Sequence, residues 1–530
     1  MNTRPILLNT QWTFENNPAN AFHALNPATG KEHPDRYPLS SLETLQAMAQ
    51  NAATAARKLN SCPPEQIAHF LDRHADSISQ RREEIAQRAH EETGLPITPR
   101  LRQTEMDRTV DQLHQAADCV RSRAWVEARI DTDLNLRSSY EPLGAGVLTI
   151  GPNNFPLAYN GIAGGDFAAA IAARNPVVAK AHPLHPGTTE LLAQCAHDAA
   201  NAADLPAGSV QMFYHCEPED GLTLIRMPQI SAVGFTGSRH AGLAMKQAAD
   251  ETGTPIYLEL SSINPIFLLP EALSERANEI ADMIADSMLA ASGQQCTCPG
   301  VIVLPNNTDA AHFIQRLSEK LSNDEPQVML SADGVSGLHD SVKHLQSKGA
   351  EPLIGGHPIE NAHAKYAHTL LKADADLFLK QPEGMQREMF GVAALIVQCE
   401  HDHQMIEIAQ SLEGNLTATI HRGAQDSDQQ RTDKLAHTLR PRVGRLIYNA
   451  VPTGVSVNAA TVHGGPFPTT GHPGFTAVGL PTAIHRFAAR RCYDRAPQDA
   501  LPPELRDANP TGKMPRWVNG RYTTDNANSA

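Results

Sequence analysis

The sequence has little that would let the protein bind nucleic acid or enter a membrane. Acidic residues outnumber basic ones, 58 to 44, and the net charge of −14 argues against binding to a phosphate backbone. No apolar run approaches the roughly 18–20 residues of a membrane-spanning helix, and no secretion signal is recognisable at the amino terminus. We therefore expect a cytoplasmic protein with no membrane span and no nucleic-acid partner.

Patterns for metal sites and disulfides are also missing. Eight cysteines in 530 residues are ordinary for a reducing compartment, so disulfides are not expected. There is no HExxH, CxxC or EF-hand pattern, and the histidines of HPLH and HDH lack partners at ligand spacing. Cys296 and Cys298 are one residue apart, which suits neither a zinc knuckle nor a CxxC redox pair. We predict no metal site.

What the sequence does contain is typical of a large globular α/β protein. Hydrophobic residues make up 41% and charged residues 19%, so a sizeable core can form. Residues 41–93 and 100–123 carry apolar side chains at three- and four-residue spacing, which predicts helices, and Gly94 is a stop signal. The last 40 residues, rich in Pro, Asp, Asn and Arg, predict an extended tail that either lies on the protein or is partly loose.

From residue 144 onward, short apolar runs alternate with stretches rich in small residues. The predicted strands are GAGVLTIGP, NPVVAKAHP, SVQMFYH and ISAVGFTGS. Between the first three lie two predicted helices, LAYNGIAGGDFAAAIAAR and TTELLAQCAHDAANAADLP, the second with a Thr cap. This alternation predicts a parallel sheet with crossover helices, in which ligands bind at the carboxyl ends of the strands. A second α/β rhythm follows, so we expect two α/β units.

Several residues near predicted strand ends could carry chemistry, and each also has a structural explanation. The turn at Gly237 and Ser238 offers free N–H groups to a phosphate, or is a plain strand-to-helix turn with Ser238 as the cap. Lys180 could bind a ribose or phosphate, or be a solvated strand end. Asn154 could donate to an oxyanion, or serve only turn chemistry.

Two further residues are candidates for a base and a nucleophile. Glu259 lies in an apolar strand, where desolvation is expected to raise its pKa and suit it to general-base catalysis, or where it forms a buried ion pair. Cys296 is flanked by small and polar residues that leave room around a nucleophilic thiol, or it is a small buried apolar group.

The order of these groups distinguishes between the alternatives. Asn154, Lys180, FTGS, Glu259, GQQC and REMFG (387–391), with LNPATG at 25–30, occur in the sequence and nearly at the spacing of the aldehyde dehydrogenase superfamily. The chain resembles that superfamily over roughly residues 20–490. Five segments are most similar to one branch of that superfamily: VVAKAHPLHPGTTE, ELSSINP, VGRLIYNAVPTGV, VHGGPFPTT and LPPELRDANP. That branch holds NADP-preferring bacterial fatty aldehyde dehydrogenases and α-ketoglutarate semialdehyde (2,5-dioxopentanoate) dehydrogenases.

The resemblance implies roles for three catalytic residues. Cys296 would attack the aldehyde to form a thiohemiacetal, and Asn154 with the Cys296 N–H would hold the oxyanion. Hydride transfer would leave a thioester, which water activated by Glu259 would hydrolyse. Cys298 matches no catalytic position, and its disulfide with Cys296 under oxidation is a hypothesis only.

The resemblance also implies a dinucleotide site. Lys180 would bind the adenosine ribose, Glu388 the nicotinamide ribose, and Phe390 would pack beside the nicotinamide, while Gly237 and Ser238 would lie near the pyrophosphate.

One departure from the family bears on which dinucleotide is used. Many NAD-using members have Glu three residues after the Lys, and this chain has Pro183 there. Without that carboxylate a 2′-phosphate is not repelled, so we expect NADP to be preferred, with NAD possible.

The expected fold class is α/β: an aldehyde dehydrogenase fold with a Rossmann-like cofactor domain, an α/β catalytic domain and a small oligomerisation element. The expected ranges are 1–123 and 147–258 for the cofactor domain, 259–455 for the catalytic domain, and 124–146 with 456–530 for the oligomerisation element and tail. A homodimer or homotetramer is expected.

The expected reaction is NAD(P)-dependent oxidation of an aldehyde, with 2,5-dioxopentanoate as the first candidate substrate. An aliphatic or fatty aldehyde is the alternative. A CoA-acylating enzyme, a thiol esterase and a non-catalytic binding protein are less consistent with Glu259 and the cofactor motifs.

Overall fold

Three large β-sheets and a two-stranded β3–β4 pair form the described part of the chain, and helices cover the large sheets. The computed structural model describes residues 3–15, 20–424 and 429–529. The first eleven strands are β1 (Ile6–Leu8), β2 (Gln11–Thr13), β3 (Ala21–Phe22), β4 (Tyr37–Pro38), β5 (Arg129–Asp131), β6 (Leu136–Pro142), β7 (Gly146–Ile150), β8 (Val177–Lys180), β9 (Val210–Phe213), β10 (Ile230–Thr236) and β11 (Ile256–Glu259). The others are β12 (Ile266–Leu268), β13 (Val301–Pro305), β14 (Glu351–Ile354), β15 (Thr369–Asp374), β16 (Ala393–Cys399), β17 (Asn415–His421), β18 (Val443–Tyr448), β19 (Ala488–Asp494), β20 (Arg516–Val518) and β21 (Arg521–Thr523).

The helices that cover these sheets come from every part of the chain. Those of the first half are α1 (Leu42–Leu59), α2 (Pro64–Gln80), α3 (Arg82–Thr93), α4 (Met106–Ser122), α5 (Gly165–Ala172), α6 (Pro186–Ala202), α7 (Pro218–Arg226) and α8 (Arg239–Thr252). Those of the second half are α9 (Pro270–Leu289), α10 (Thr308–Asn323), α11 (Ala332–Ser347), α12 (Ala375–Lys380), α13 (Pro382–Met385), α14 (Asp402–Ser411) and α15 (Gln429–Leu439). In the described part of the chain, no helix combines the length and the apolar character needed to cross a membrane.

The first sheet has the strand order β11-β10-β7-β8-β9-β1-β2, and the five strands from β11 to β9 are parallel. Every residue of the central strand β7 is buried, as expected when helices cover both faces. After β7, the chain adds β8 and β9 on one side of β7, and then adds β10 and β11 on its other side. The carboxyl ends of β7 and β10 therefore form a topological switch point, where α/β sheets bind ligands.

The second sheet has the order β14-β15-β16-β13-β12-β17-β18 and is parallel except for the β14–β15 pair. Separate apolar clusters lie on its two faces. The third sheet, β19-β6-β5-β20-β21, joins strands from residues 129–142 to strands near the carboxyl terminus. The three sheets thus draw their strands from the three sets of residues expected for the domains, whose boundaries stay a prediction.

The carboxyl-terminal residues are more ordered than a partly loose tail. β20 pairs in parallel with β5, and the Arg516 side chain is fully buried, where it donates to the carbonyls of Arg506, Asp507 and Asp525. The first of the two alternatives for this segment, a tail that lies on the protein, is the one observed.

Two details of the predicted helices were wrong. The helix expected from residue 157 begins only at Gly165, because residues 157–164 form tight turns. The expected Thr cap of α6 is absent, since the helix starts at Pro186. The buried carboxylate of Glu92 takes the cap's place and accepts hydrogen bonds of 2.8 Å from the N–H groups of Gly187 and Thr188.

Candidate active site

The site residues predicted from sequence lie together in one cavity of about 520 Å³ at the switch point of the first sheet. The predicted residues that line it are Asn154, Lys180, Pro183, Gly237, Ser238, Glu259, Cys296, Glu388 and Phe390. They reach it from the ends of β7, β8, β10 and β11 and from two loops of the second α/β unit. Ser238 caps α8 by accepting from the Ala241 N–H, as predicted.

A left-handed turn presents Cys296 to this cavity. Ala291, Ser292 and Gly293 all have positive φ, between 53° and 68°. Such a conformation is costly for residues with a Cβ, and its presence next to the thiol is typical of strain at functional sites. A Cβ at Gly293 would overlap with the backbone of Gly391, so only glycine fits there.

Asn264 holds the two ends of the cysteine segment. Its buried side-chain amide donates to the carbonyls of Cys296, at 2.9 Å, and Cys298, at 3.0 Å. Its carbonyl oxygen accepts from the Ser262 hydroxyl, which also contacts the side chain of Asn415. The loop after Glu259 and the cysteine loop are therefore one hydrogen-bonded unit.

Cys296, Glu259 and His463 form a compact cluster. His463 Nε2 lies 2.9 Å from Glu259 Oε1 and 3.6 Å from Cys296 Sγ. Glu259 and His463 are each only 1% exposed. Sequence reasoning missed His463, because VHGGPFPTT was used only to identify the branch and no local pattern linked this histidine to a cysteine 167 residues away.

The cluster sets the protonation states of its acidic members. Burial alone raises the pKa of Glu259, but the His463 imidazole and the Cys296 thiol stabilise the carboxylate and bring its pKa below the usual value. The predicted upward shift was therefore wrong. Burial and the Glu259 carboxylate raise the pKa of Cys296 well above the usual value. At rest the cluster therefore holds a protonated thiol beside an ionised carboxylate.

Asn154 lies where it can stabilise an oxyanion. Its Nδ2 donates to the Gln294 carbonyl at 2.9 Å, which leaves its second N–H without a partner in the described residues. The Cys296 N–H likewise has no acceptor in the described part of the chain. Two donors are thus available beside the nucleophile.

At one end of the cavity, Glu388 contacts the ELSS segment. Its carboxylate accepts from the Ser261 hydroxyl and the Ser262 N–H, while burial raises its pKa to about 7. The Ser262 hydroxyl is buried, and it accepts from the Leu416 N–H. These hydrogen bonds connect the ELSS segment after Glu259 to Glu388 and to β17.

The opposite end contains Lys180. Its Nζ donates to the Ala181 carbonyl at 3.2 Å, and burial lowers its pKa to about 8. His182 and His215 line the same cavity, and burial lowers the pKa of both imidazoles. These histidines were not predicted as site residues.

Cys298 points into a different environment from Cys296. Cys298 packs against the apolar cluster formed by α9, α10 and the second sheet, whereas Cys296 packs against the core of the first sheet. Burial raises the pKa of the Cys298 thiol to about 12. Both cysteines are free thiols in this structure.

Comparisons with known proteins agree with this geometry. The model of the aldehyde dehydrogenase family matches residues 12–467. The chain is 38% identical over 472 residues to alpha-ketoglutaric semialdehyde dehydrogenase 2 of Azospirillum brasilense, covering 86% of this chain and 87% of that protein. It is 34% identical over 495 residues to alpha-ketoglutaric semialdehyde dehydrogenase of Acinetobacter baylyi, covering 91% and 92%.

Solved structures show the same fold. Lactaldehyde dehydrogenase from Escherichia coli superposes with a TM-score of 0.79 at 20% identity, over 93% of this chain and 98% of that one. A mutant of aldehyde dehydrogenase C from Pseudomonas syringae, in complex with NAD+ and octanal, superposes with a TM-score of 0.78 at 21% identity. The superposition covers 93% of this chain and 96% of that one. On the extent of the family match and the two close relatives, the chain belongs to the aldehyde dehydrogenase family.

Proposed function

We propose that this protein oxidises 2,5-dioxopentanoate to 2-oxoglutarate and prefers NADP as the hydride acceptor. The observation that carries the proposal is the position of Cys296 between two cavities, with Glu259 beside it. One cavity contains all the predicted dinucleotide residues, and the other, of about 550 Å³, shares only Cys296 with it among the described lining residues.

The residues of the cluster account for the chemistry on the substrate. Glu259 takes the proton of the Cys296 thiol, and the thiolate attacks the aldehyde carbon to form a thiohemiacetal. Asn154 Nδ2 and the Cys296 N–H donate to the oxyanion; one such donor contributes about 2.7–4 kcal/mol to transition-state stabilisation. A dinucleotide in the first cavity would supply the hydride acceptor, and loss of hydride from the thiohemiacetal would leave a thioester on Cys296. Glu259, after losing the thiol proton, activates water to release the acid.

The residues present fit a dinucleotide. Lys180 would bind the adenosine ribose, the turn at Gly237 and Ser238 would face the pyrophosphate, and Glu388 with Phe390 would hold the nicotinamide end. The Lys180 ammonium is buried, and among the described residues only the Ala181 carbonyl accepts from it, so it has donors left for a ligand.

NADP preference is supported by the groups at the Lys180 end. Pro183, Lys180, His182 and His215 line that end, and no carboxylate does so among the described lining residues. Lys180 supplies a positive charge for a 2′-phosphate, and the two imidazoles can donate hydrogen bonds to it. NAD, which lacks the phosphate, remains compatible with this end.

The substrate is proposed from the two relatives above, both named for alpha-ketoglutaric semialdehyde. Purified protein would be given 2,5-dioxopentanoate or a series of straight-chain aldehydes, with NADP or NAD, and reduction would be followed by absorbance. We expect the highest kcat/KM for 2,5-dioxopentanoate with NADP. A higher value for long aliphatic aldehydes would keep the mechanism and replace the substrate. Reduction that requires CoA would contradict hydrolysis by Glu259.

The proposed assembly is a cytoplasmic homodimer or homotetramer formed through the third sheet. Two aromatic side chains on its edge hairpin are exposed, Trp517 by 37% and Tyr522 by 76%. Light scattering on the purified protein tests the assembly, and Tyr522→Ser with Trp517→Ser is expected to weaken it. A monomeric wild-type protein would contradict the proposal.

A further inference from the structure

The second cavity beside Cys296 has charged walls. Its sides come from the π-helical turn Ile97–Glu105, the first turns of α4, the aromatic rings of Phe155 and Tyr159, and the segment 454–457. Five charged residues line it: Arg100, Glu105, Asp107, Arg108 and Asp111.

Among these charges, each carboxylate has a partner. Glu105 accepts from the Leu157 and Ala158 N–H groups and lies 3.2 Å from Arg100. Asp107 pairs with Arg82, and Asp111 accepts from Gln115. None of these three carboxylates forms an ion pair with Arg108 in the described structure.

Arg108 has no ion-pair partner among the described residues. Its Nη2 donates to the Tyr159 hydroxyl at 2.8 Å, and its Nε is buried with no acceptor in the part of the chain that the structure describes. Burying an uncompensated donor is costly, so a partner that arrives with the substrate would satisfy it.

Aromatic rings orient the Arg108 guanidinium. It lies 4.8 Å from the centre of the Tyr159 ring and 6.0 Å from that of Phe155. A planar guanidinium held in this way needs little reorganisation to bind a carboxylate through two parallel hydrogen bonds.

Arg108 also acts electrostatically on the reacting groups. Its charge works to lower the pKa values of both Cys296 and Glu259, although burial dominates for the thiol. Arg445 affects Cys296 in the same direction, but it does not line this cavity, and its Nη2 is bonded to the Pro452 carbonyl. Arg108 is thus the cation best placed for a ligand whose aldehyde reaches Cys296.

We propose that Arg108 binds the carboxylate of an ω-oxo acid substrate and so selects carboxylate-bearing aldehydes over uncharged ones. This inference rests on the proposed function for its substrate class. The recognised chemistry is a carboxylate separated from the aldehyde by a short carbon chain, with the aldehyde at Cys296 and the carboxylate at the Arg108 guanidinium.

The test compares matched substrates on matched variants. The ratio of kcat/KM for 2,5-dioxopentanoate to that for pentanal, and for 4-oxobutanoate to that for butanal, is measured in the wild type, Arg108→Gln and Arg108→Lys. Arg226→Gln, which removes a surface ion pair with Glu251, is the control. We expect Arg108→Gln to lower the ratio roughly tenfold to a hundredfold, the loss typical of a charge-assisted hydrogen bond. Arg108→Lys should restore part of it.

A second measurement does not depend on turnover. Alkylation of Cys296 by iodoacetamide is followed with and without 2-oxoglutarate, which should protect the wild type and fail to protect Arg108→Gln. The proposal would be overturned if Arg108→Gln lowered kcat/KM equally for both aldehydes of each pair, or left the kcat/KM ratios unchanged. If the wild type oxidises another ω-oxo acid and not 2,5-dioxopentanoate, the proposed substrate is wrong. The role of Arg108 is then tested with that acid and the matching uncharged aldehyde. If the wild type prefers uncharged aldehydes over every ω-oxo acid, the carboxylate-binding role of Arg108 is wrong, although the protein still oxidises aldehydes.

Discussion

Glu259 and His463 are 204 residues apart in sequence and form a buried hydrogen bond of 2.9 Å. The imidazole keeps the neighbouring carboxylate ionised despite its burial, and the carboxylate in turn lies against the Cys296 thiol. The base is therefore ready at neutral pH, while the nucleophile is held as a thiol until it reacts.

His463→Gln removes the imidazole and keeps a donor near the carboxylate. We expect kcat to fall by roughly 10²-fold or more, the contribution usual for a group that assists proton transfer. Because burial then acts on Glu259 with less opposition, its pKa should rise and the acid limb of the kcat/KM–pH profile should move to higher pH. The exposed His437→Gln is the control. A lower kcat with an unmoved acid limb would contradict this account of Glu259.

Cys296→Ser and Cys298→Ser separate the two thiols. Cys296→Ser should abolish aldehyde oxidation, with kcat reduced by about four orders of magnitude or more, and still bind dinucleotide. Cys298→Ser should keep dehydrogenase activity, since that side chain packs away from the cluster. Steady-state kinetics and fluorescence titration with NADPH check the pair. Wild-type rates in Cys296→Ser would disprove the assigned nucleophile.

Pro183→Glu places a carboxylate where many NAD-using relatives carry one. Repulsion of the 2′-phosphate should lower kcat/KM for NADP by roughly tenfold to a hundredfold, with a smaller effect on NAD. Pro183→Gln, uncharged and of similar size, is the matched control. Equal losses for both dinucleotides would show that Pro183 acts through the backbone and not through charge.

Binding of NADP should depend on pH in both directions. The raised pKa of Glu388, about 7, means that the carboxylate needed to accept ribose hydroxyls forms only above that pH. The lowered pKa of Lys180, about 8, means that its positive charge is lost above that pH. Affinity for NADP should therefore be highest between about pH 7 and 8, as titration calorimetry can show. Glu388→Gln should remove the acid limb, and a flat wild-type profile would contradict both assignments.

Zinc should inhibit by binding the catalytic cluster. Glu259, Cys296 and His463 offer carboxylate, thiol and imidazole ligand atoms within 4.8 Å of one another, a donor set typical of Zn²⁺. Added Zn²⁺ should stop turnover, slow alkylation of Cys296 and be reversed by a chelator. His463→Gln should raise the concentration needed to slow alkylation. The same zinc sensitivity in both proteins would place the ion elsewhere.

Local structural elements, and the family indicated by the order of motifs along the chain, were predictable from the sequence. Buried strands such as GVLTI, the Gly94 stop and the Ser238 cap follow from side-chain patterns that act over a few residues. The order of Asn154, Lys180, Glu259, Cys296 and Glu388 was enough to indicate the family, because each lies at a strand end or loop that the fold brings to one edge.

Only the tertiary structure decided which other groups meet these residues. His463 and Arg108 come from distant segments whose local patterns carry no sign of catalysis or recognition. The pKa of Glu259 could not be predicted in direction, because its burial is visible in the sequence and its imidazole partner is not. Sequence thus determined the fold and the reacting groups, while contacts between remote segments decided their protonation and the charge that faces the substrate. Such contacts depend on packing in three dimensions, which no local pattern encodes.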